Sequence, residues 1–97
     1  MSTITSFEDI SNDYDPRKNT SRPIMSKYEK IKVIGIRTQQ IAGGASTLAT
    51  IPPGTTDPRA IAIAELEQKK LPFVIARVLP SGIKEYWKLK DMIILPD

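Results

Sequence analysis

The 97-residue sequence contains no cysteine and no histidine. Without cysteine no disulfide can staple a small fold, and the absence fits a reducing compartment. Losing both residue types also removes the usual zinc, haem and iron–sulfur ligands, so neither a metal site nor a cofactor is expected. Catalysis loses its commonest nucleophile and proton shuttle as well, leaving Asp, Glu, Lys, Tyr, Ser and Thr. Glu65 and Glu67 stand two apart on one expected helix and point to different sides, which makes a poor carboxylate pair. Gly35, Gly43 and Gly44 supply neither a G-x-G-x-x-G pattern nor a phosphate loop. No catalytic residue is assigned, and a binding or assembly role is expected. No apolar run approaches the roughly 18 residues of a membrane-spanning helix. The N-terminus shows no basic region followed by an apolar stretch, so no signal peptide is expected. These absences point to a soluble intracellular chain without membrane contact.

Charge is modest and unevenly placed. The formal net charge is +3. Glu8, Asp9, Asp13 and Asp15 share the first 15 residues with no basic side chain, whereas Arg17, Lys18 and Arg22 fall in 16–25 with no acid. The remaining basic residues are scattered rather than clustered, which is a weak electrostatic footprint for nucleic acid. Residues 1–24 are rich in Ser, Thr, Asp and Asn, with isolated Ile4, Phe7, Ile10 and Tyr14. Such a segment buries too little apolar area to offset its ordering entropy, and a disordered tail is predicted. A sharper reading makes it a docking segment, with Phe7 and Tyr14 as anchors and Ser2, Ser6 or Ser11 as phosphosites.

Order is expected from residue 25. Ser26-Lys27-Tyr28-Glu29 has the S-x-x-E spacing of a capping box, and Gly43-Gly44 ends the helix that it opens. On that helix Ile31, Ile34, Gly35, Thr38, Ile41, Ala42 and Ala45 occupy one arc of roughly 120° and form the expected core stripe. Gly35 within it allows a close backbone approach. Glu29, Val33, Ile36 and Gln40 form a second seam with Arg37 beside it. The helix is thus apolar on two sides, and a small domain has only one interior. A core of about 70 residues hides only about 60% of its unfolded surface, so a partner is a natural supplement. The alternative is a helix sandwiched within its own fold.

After the Pro52-Pro53-Gly54 loop, Asp57 and Pro58 mark the cap and first position of a second helix, with Lys69-Lys70 at its C-terminal end. Ala60, Ile61, Ala64 and Leu71 take one side of it; Ala62, Ile63 and Leu66 take the other. The final third predicts a hairpin: strands over 73–79 and 83–89 joined at Pro80-Ser81-Gly82, with Gly82 supplying a positive φ. The apolar segment over 91–97 is expected to pack back. The fold class is therefore α+β: two main helices followed by a C-terminal β-hairpin.

These pieces in this order carry a resemblance. "MSKYEKIKVIGIRTQQIA" (25–42), "TTDPRAIAIAELEQKKLPFVIARVLPSG" (55–82) and "KEYWKLKDMIILPD" (84–97) resemble the small RNA polymerase subunit called omega in bacteria, K in archaea and the shared sixth subunit in eukaryotes. The likeness covers roughly 23–97 and is greatest to the eukaryotic or large-DNA-virus version. It departs at Ala76-Arg77, where the family often has paired arginines, and at Ser81, where it usually has Asp.

The resemblance implies an omega-like domain over 25–97 and a non-catalytic subunit that clasps the largest catalytic subunit, aiding assembly and stability. DNA and RNA would be met only indirectly. The location would be the nucleus in a cell, or a cytoplasmic factory or virion for a virus. The alternative is a free-standing adaptor or nucleic-acid-binding domain of the same fold. The residues expected to face the largest subunit are Glu29, Val33, Ile36, Arg37 and Gln40 on the first helix, Ile63 and Glu65 on the second, and Arg77 on the hairpin. Glu65 amid apolar neighbours needs a basic partner if buried, and Arg77 is a candidate to supply it in cis. Tyr28 reads as a core aromatic beside the cap, and Trp87 as the closure of the hairpin core.

Overall fold

The computed structural model describes residues 2–6 and 14–95, with the backbone alone at residues 2, 5 and 6. Phe7 and Ser11 lie outside the described residues, as do the side chains of Ser2 and Ser6. Helix α1 spans Lys27–Ala42 and is closed at its start by both arms of the capping box. The Ser26 Oγ accepts from the Glu29 amide at 3.1 Å, and the Ser26 amide donates to Glu29 Oε1 at 3.0 Å. Gly44, at φ 103°, turns the chain out of the helix. Helix α2 spans Pro58–Glu67, capped by Asp57 with Pro58 in the first turn, and packs along α1.

The hairpin forms with strands β2 (Phe73–Val78) and β3 (Lys84–Lys88), and Gly82 takes φ 89° in the turn between them. A further strand enlarges it. Residues Ser2–Ser6 form β1, antiparallel to β2 on the side away from β3, so the sheet order is β1-β2-β3. The register aligns Ile4, Ile75 and Trp87 in one row across the sheet. As the central strand, β2 is buried along residues 73–76.

Residues 14–24 run back over the hairpin, with a 3-10 turn at Pro16–Lys18. Residues 2–6 and 14–24 thus carry more structure than their composition suggests, while 7–13 lie outside the described residues. The reason is polar: side chains of Tyr14, Asn19, Thr20 and Ser21 hydrogen-bond to β3, so little apolar burial is required. The C-terminal segment packs back as expected. Leu89 and Met92 are buried, and the Met25 amide donates to the Ile93 carbonyl at 2.9 Å.

One core joins Met25, Val33, Ile34, Ala62, Leu66, Leu71, Phe73, Ile75, Trp87, Leu89 and Met92. Its α1 contribution corrects the expected stripe. Val33 has no exposed surface, whereas Ile31 is 67% exposed and Gly35 and Ala42 also face outward. Tyr28, expected in the core, is 68% exposed. The helix is rolled so that the seam containing Glu29, Val33 and Arg37 points inward. Counting apolar side chains missed this, because two charges on that seam are neutralised inside the fold.

Candidate partner-binding site

Two arginine–carboxylate pairs fix the roll of α1. Arg37 meets Glu65 of α2 in a two-pronged contact, Nε to Oε1 at 2.6 Å and Nη2 to Oε2 at 3.0 Å. Arg37 also donates to Gln40 Oε1 and to the Ser46 carbonyl, and the Leu48 amide donates to Glu65 Oε2 at 2.6 Å. Burial raises the Glu65 carboxyl, but the hydrogen bonds from Arg37 and the Leu48 amide outweigh it and hold the group below the usual carboxylate range. The second pair ties α1 to the sheet. Arg77 reaches Glu29 with Nη2 to Oε1 at 2.8 Å and Nε to Oε2 at 3.0 Å, and also donates to the carbonyls of Arg22 and Ile24. Among the described residues no buried side-chain nitrogen or oxygen lacks a partner. The seam is polar yet fully satisfied, which is what makes its burial tolerable.

A third carboxylate holds the N-terminal strap. Glu85 accepts the Thr20 and Ser21 amides at 2.6 and 2.9 Å and their hydroxyls at 3.0 and 2.6 Å. Trp87 Nε1 in turn donates to Ser21 Oγ at 3.0 Å. Burial pushes the Glu85 carboxyl up, and the hydrogen bonds from Ser21 and Thr20 more than offset that, leaving it at about 2 rather than 4.5. A depressed folded-state value contributes stability that is complete above the unfolded value of 4.5 and is lost as pH falls toward about 2. Acid should therefore loosen the strap across that window. Glu85→Gln should flatten the acid limb of stability, measured by urea unfolding at a series of pH values; equal slopes for variant and parent would refute this.

With the seam turned inward, the opposite face of α1 is presented to solvent. Tyr28, Ile31, Gly35, Thr38 and Ala42 lie on it at alternating spacings of three and four, which is the a/d pattern of a helix seam. Among the described residues, nothing beyond the helix's own turn lies within 4 Å of a Cβ placed at Gly35. A mid-helix glycine costs about 1 kcal/mol relative to alanine, and among the described residues no neighbour demands it. Beside the strip lies a hollow of about 250 Å³ lined by Lys27, Lys30, Ile31, Ile34 and Arg59.

The residues expected at a partner surface are brought together, but mostly inside the domain. Val33 and Glu65 have no exposed surface, Glu29 and Arg37 are buried in the two ion pairs, and Arg77 is nearly so. Ile36 and Ile63 are half-buried against the core, and Gln40 is exposed beside Arg37. Glu65 does have the basic partner it requires, although Arg37 rather than Arg77 supplies it. Thr20, Ser21 and Glu85 were missed by sequence reasoning, since their contact spans 64 or 65 residues and no local pattern announces it. Among the described residues no cluster of potential metal ligands occurs, and no helix is long and apolar enough to cross a membrane.

Comparison with known proteins bears on this arrangement. The family described as RNA polymerase Rpb6 matches residues 20–73. "DNA-directed RNA polymerases I, II, and III subunit RPABC2" of Schizosaccharomyces pombe is 42% identical over 74 residues, 76% of this chain and 51% of that protein. The Saccharomyces cerevisiae protein of the same name is 41% identical over 80 residues, 82% of this chain and 50% of its own length. "DNA-directed RNA polymerases II and V subunit 6B" of Arabidopsis thaliana is 39% identical over 79 residues, 81% of this chain and 53% of that protein. The chain spans about half the length of these curated relatives. The matched segment runs from Thr20 at the Glu85 contact, through both helices and their buried Arg37–Glu65 pair, into β2: this chain belongs to the RNA polymerase Rpb6 family.

Proposed function

We propose that the chain is a non-catalytic subunit of a multisubunit DNA-dependent RNA polymerase, and that it clasps the largest subunit to promote assembly and stability. The observation that carries this reading is the outer strip of α1, where Tyr28 and Ile31 are 68% and 67% exposed, Gly35 and Ala42 face outward and Thr38 is half-buried between them. Helix faces of this kind lie in apolar grooves of larger partners. Family membership supports the polymerase as that partner. The working unit is taken as residues 25–97, with 14–24 as an accessory strap.

Within this scheme the expected interface residues divide into two roles. Glu29, Val33, Arg37, Glu65 and Arg77 hold α1 at the roll that presents its outer face. Ile36, Gln40 and Ile63, with accessible surface, lie at the margins of the contact. DNA and RNA are reached only through the assembled enzyme, and the eukaryotic relatives favour a nuclear setting. Affinity purification of the tagged chain from its own cells tests the reading: two very large catalytic chains should co-purify in equal amounts. A mostly free protein, with nucleic-acid binding that falls steeply as salt rises, would establish the free-standing adaptor instead.

A further inference from the structure

The polymerase reading leaves one feature of the chain unused. Arg17, Lys18 and Arg22 crowd a segment without acids between residues 16 and 25, and they flank Thr20 and Ser21. Arg17 stands three residues before Thr20. An arginine at that distance is what the acidic substrate cleft of an arginine-directed protein kinase selects, by ordinary charge complementarity. Thr20 is exposed, and the Arg17 side chain is 90% exposed; its pair with Asp15 at 3.1 Å lies at the surface and offers little resistance to exchange. The same threonine is half of the grip on Glu85.

We propose that Thr20 is a phosphorylation site for an arginine-directed kinase, and that phosphate there releases residues 14–21 from the edge of β3. In the modification the Thr20 hydroxyl oxygen attacks the γ-phosphorus of a nucleoside triphosphate. The new O–P bond forms as the bond from that phosphorus to the bridging oxygen breaks. The nucleoside diphosphate leaves with the electron pair, and the hydroxyl proton passes to the kinase's carboxylate base and then to water.

The product cannot keep the present contact. Thr20 Oγ1 now donates to Glu85 Oε2 at 3.0 Å, and the phosphoester oxygen has no proton to donate. A group of about −2 charge would instead sit against an ionised carboxylate. Ser21 is drawn into the same loss, because both its amide and its hydroxyl donate to the other oxygen of Glu85. The strap also covers the outer edge of β3: Asn19 Nδ2 donates to the Tyr86 carbonyl at 2.8 Å, and the Lys88 amide donates to the Tyr14 hydroxyl at 3.0 Å. Release uncovers these groups, and an unpaired strand edge is a surface on which another strand can pair. The device is independent of which complex the chain serves.

The test uses the full chain with magnesium ATP and the catalytic subunit of cyclic-AMP-dependent kinase, an arginine-directed enzyme. Fragmentation mass spectrometry should place one phosphoryl group on Thr20, and hydrogen exchange at the Lys88 amide should then accelerate by roughly tenfold or more. Because coupling is reciprocal, Glu85→Gln, whose grip is already weakened, should be phosphorylated several-fold faster than the parent. Absence of phosphate from Thr20 in both parent and Glu85→Gln, or phosphate confined to Ser21, overturns the site. Phosphate on Thr20 with unchanged Lys88 exchange overturns the release.

Discussion

Glu65→Ala is expected to destabilise the domain by about 3–5 kcal/mol, because it leaves the Arg37 guanidinium buried without its counter-charge. The substitution removes more than one contact. Both oxygens of Glu65 hold Arg37, and one also receives the Leu48 amide, so the loop after α1 loses its anchor together with the helix pair. Domains of this size have a total stability of about 5–15 kcal/mol. A loss of that order would leave a substantial fraction of the chain unfolded at moderate temperature.

Urea unfolding followed by circular dichroism measures the loss. Glu67→Ala, on the exposed side of the same helix, serves as the reference and should lie within about 0.5 kcal/mol of the parent. Replacing both partners, Arg37→Met with Glu65→Leu, should recover much of the loss, since an apolar pair of similar volume has no stranded charge. If Glu65→Ala unfolded at the parent's midpoint, the pair would not be what holds α1 to α2.

The same pairs explain which parts of this fold could be foreseen. Local chemistry was transparent: Ser26 and Glu29 form the capping box, Asp57-Pro58 starts α2, and Gly82 turns the hairpin. The roll of α1 was not, and the reason is distance along the chain. Glu29 and Arg37 look like solvent-facing residues until their partners are known, and those partners lie 48 and 28 residues away. The stripe of Ile31, Gly35 and Ala42 scores as core by hydropathy but lies outside, while the half-charged seam lies inside. What survives is the inference that the helix has one apolar face too many. The sequence could show the surplus but not which face it was. The strap is a similar case: composition counts apolar residues, and residues 14–24 are held by hydroxyls, an amide side chain, the Glu85 and Asp91 carboxylates and the Arg77 guanidinium.

The roll of the helix makes a second large effect testable at a single residue. Gly35→Leu is expected to weaken capture of the largest subunit by tenfold or more, a loss of at least about 1.4 kcal/mol, while leaving the isolated domain as stable as before or more so. The two effects have opposite signs for one reason. Among the described residues nothing beyond the helix's own turn lies within 4 Å of a Cβ at Gly35, so a side chain there gains helix propensity without a clash. Against a partner packed closely on the bare backbone, the same side chain forces the two surfaces apart.

Gly35→Ala should show the trend at smaller scale, and Ile31→Asp should weaken capture through the neighbouring position with little change in the domain's unfolding. Ile36→Asp is the contrasting case: Ile36 packs against the core, so its loss should appear in stability first. Comparing melting temperature with the fraction of variant retained on the polymerase separates the two classes. If Gly35→Leu assembled as fully as the parent, the outer face of α1 would not be where the partner lies, and a glycine in the middle of this helix would have no structural reason to be there.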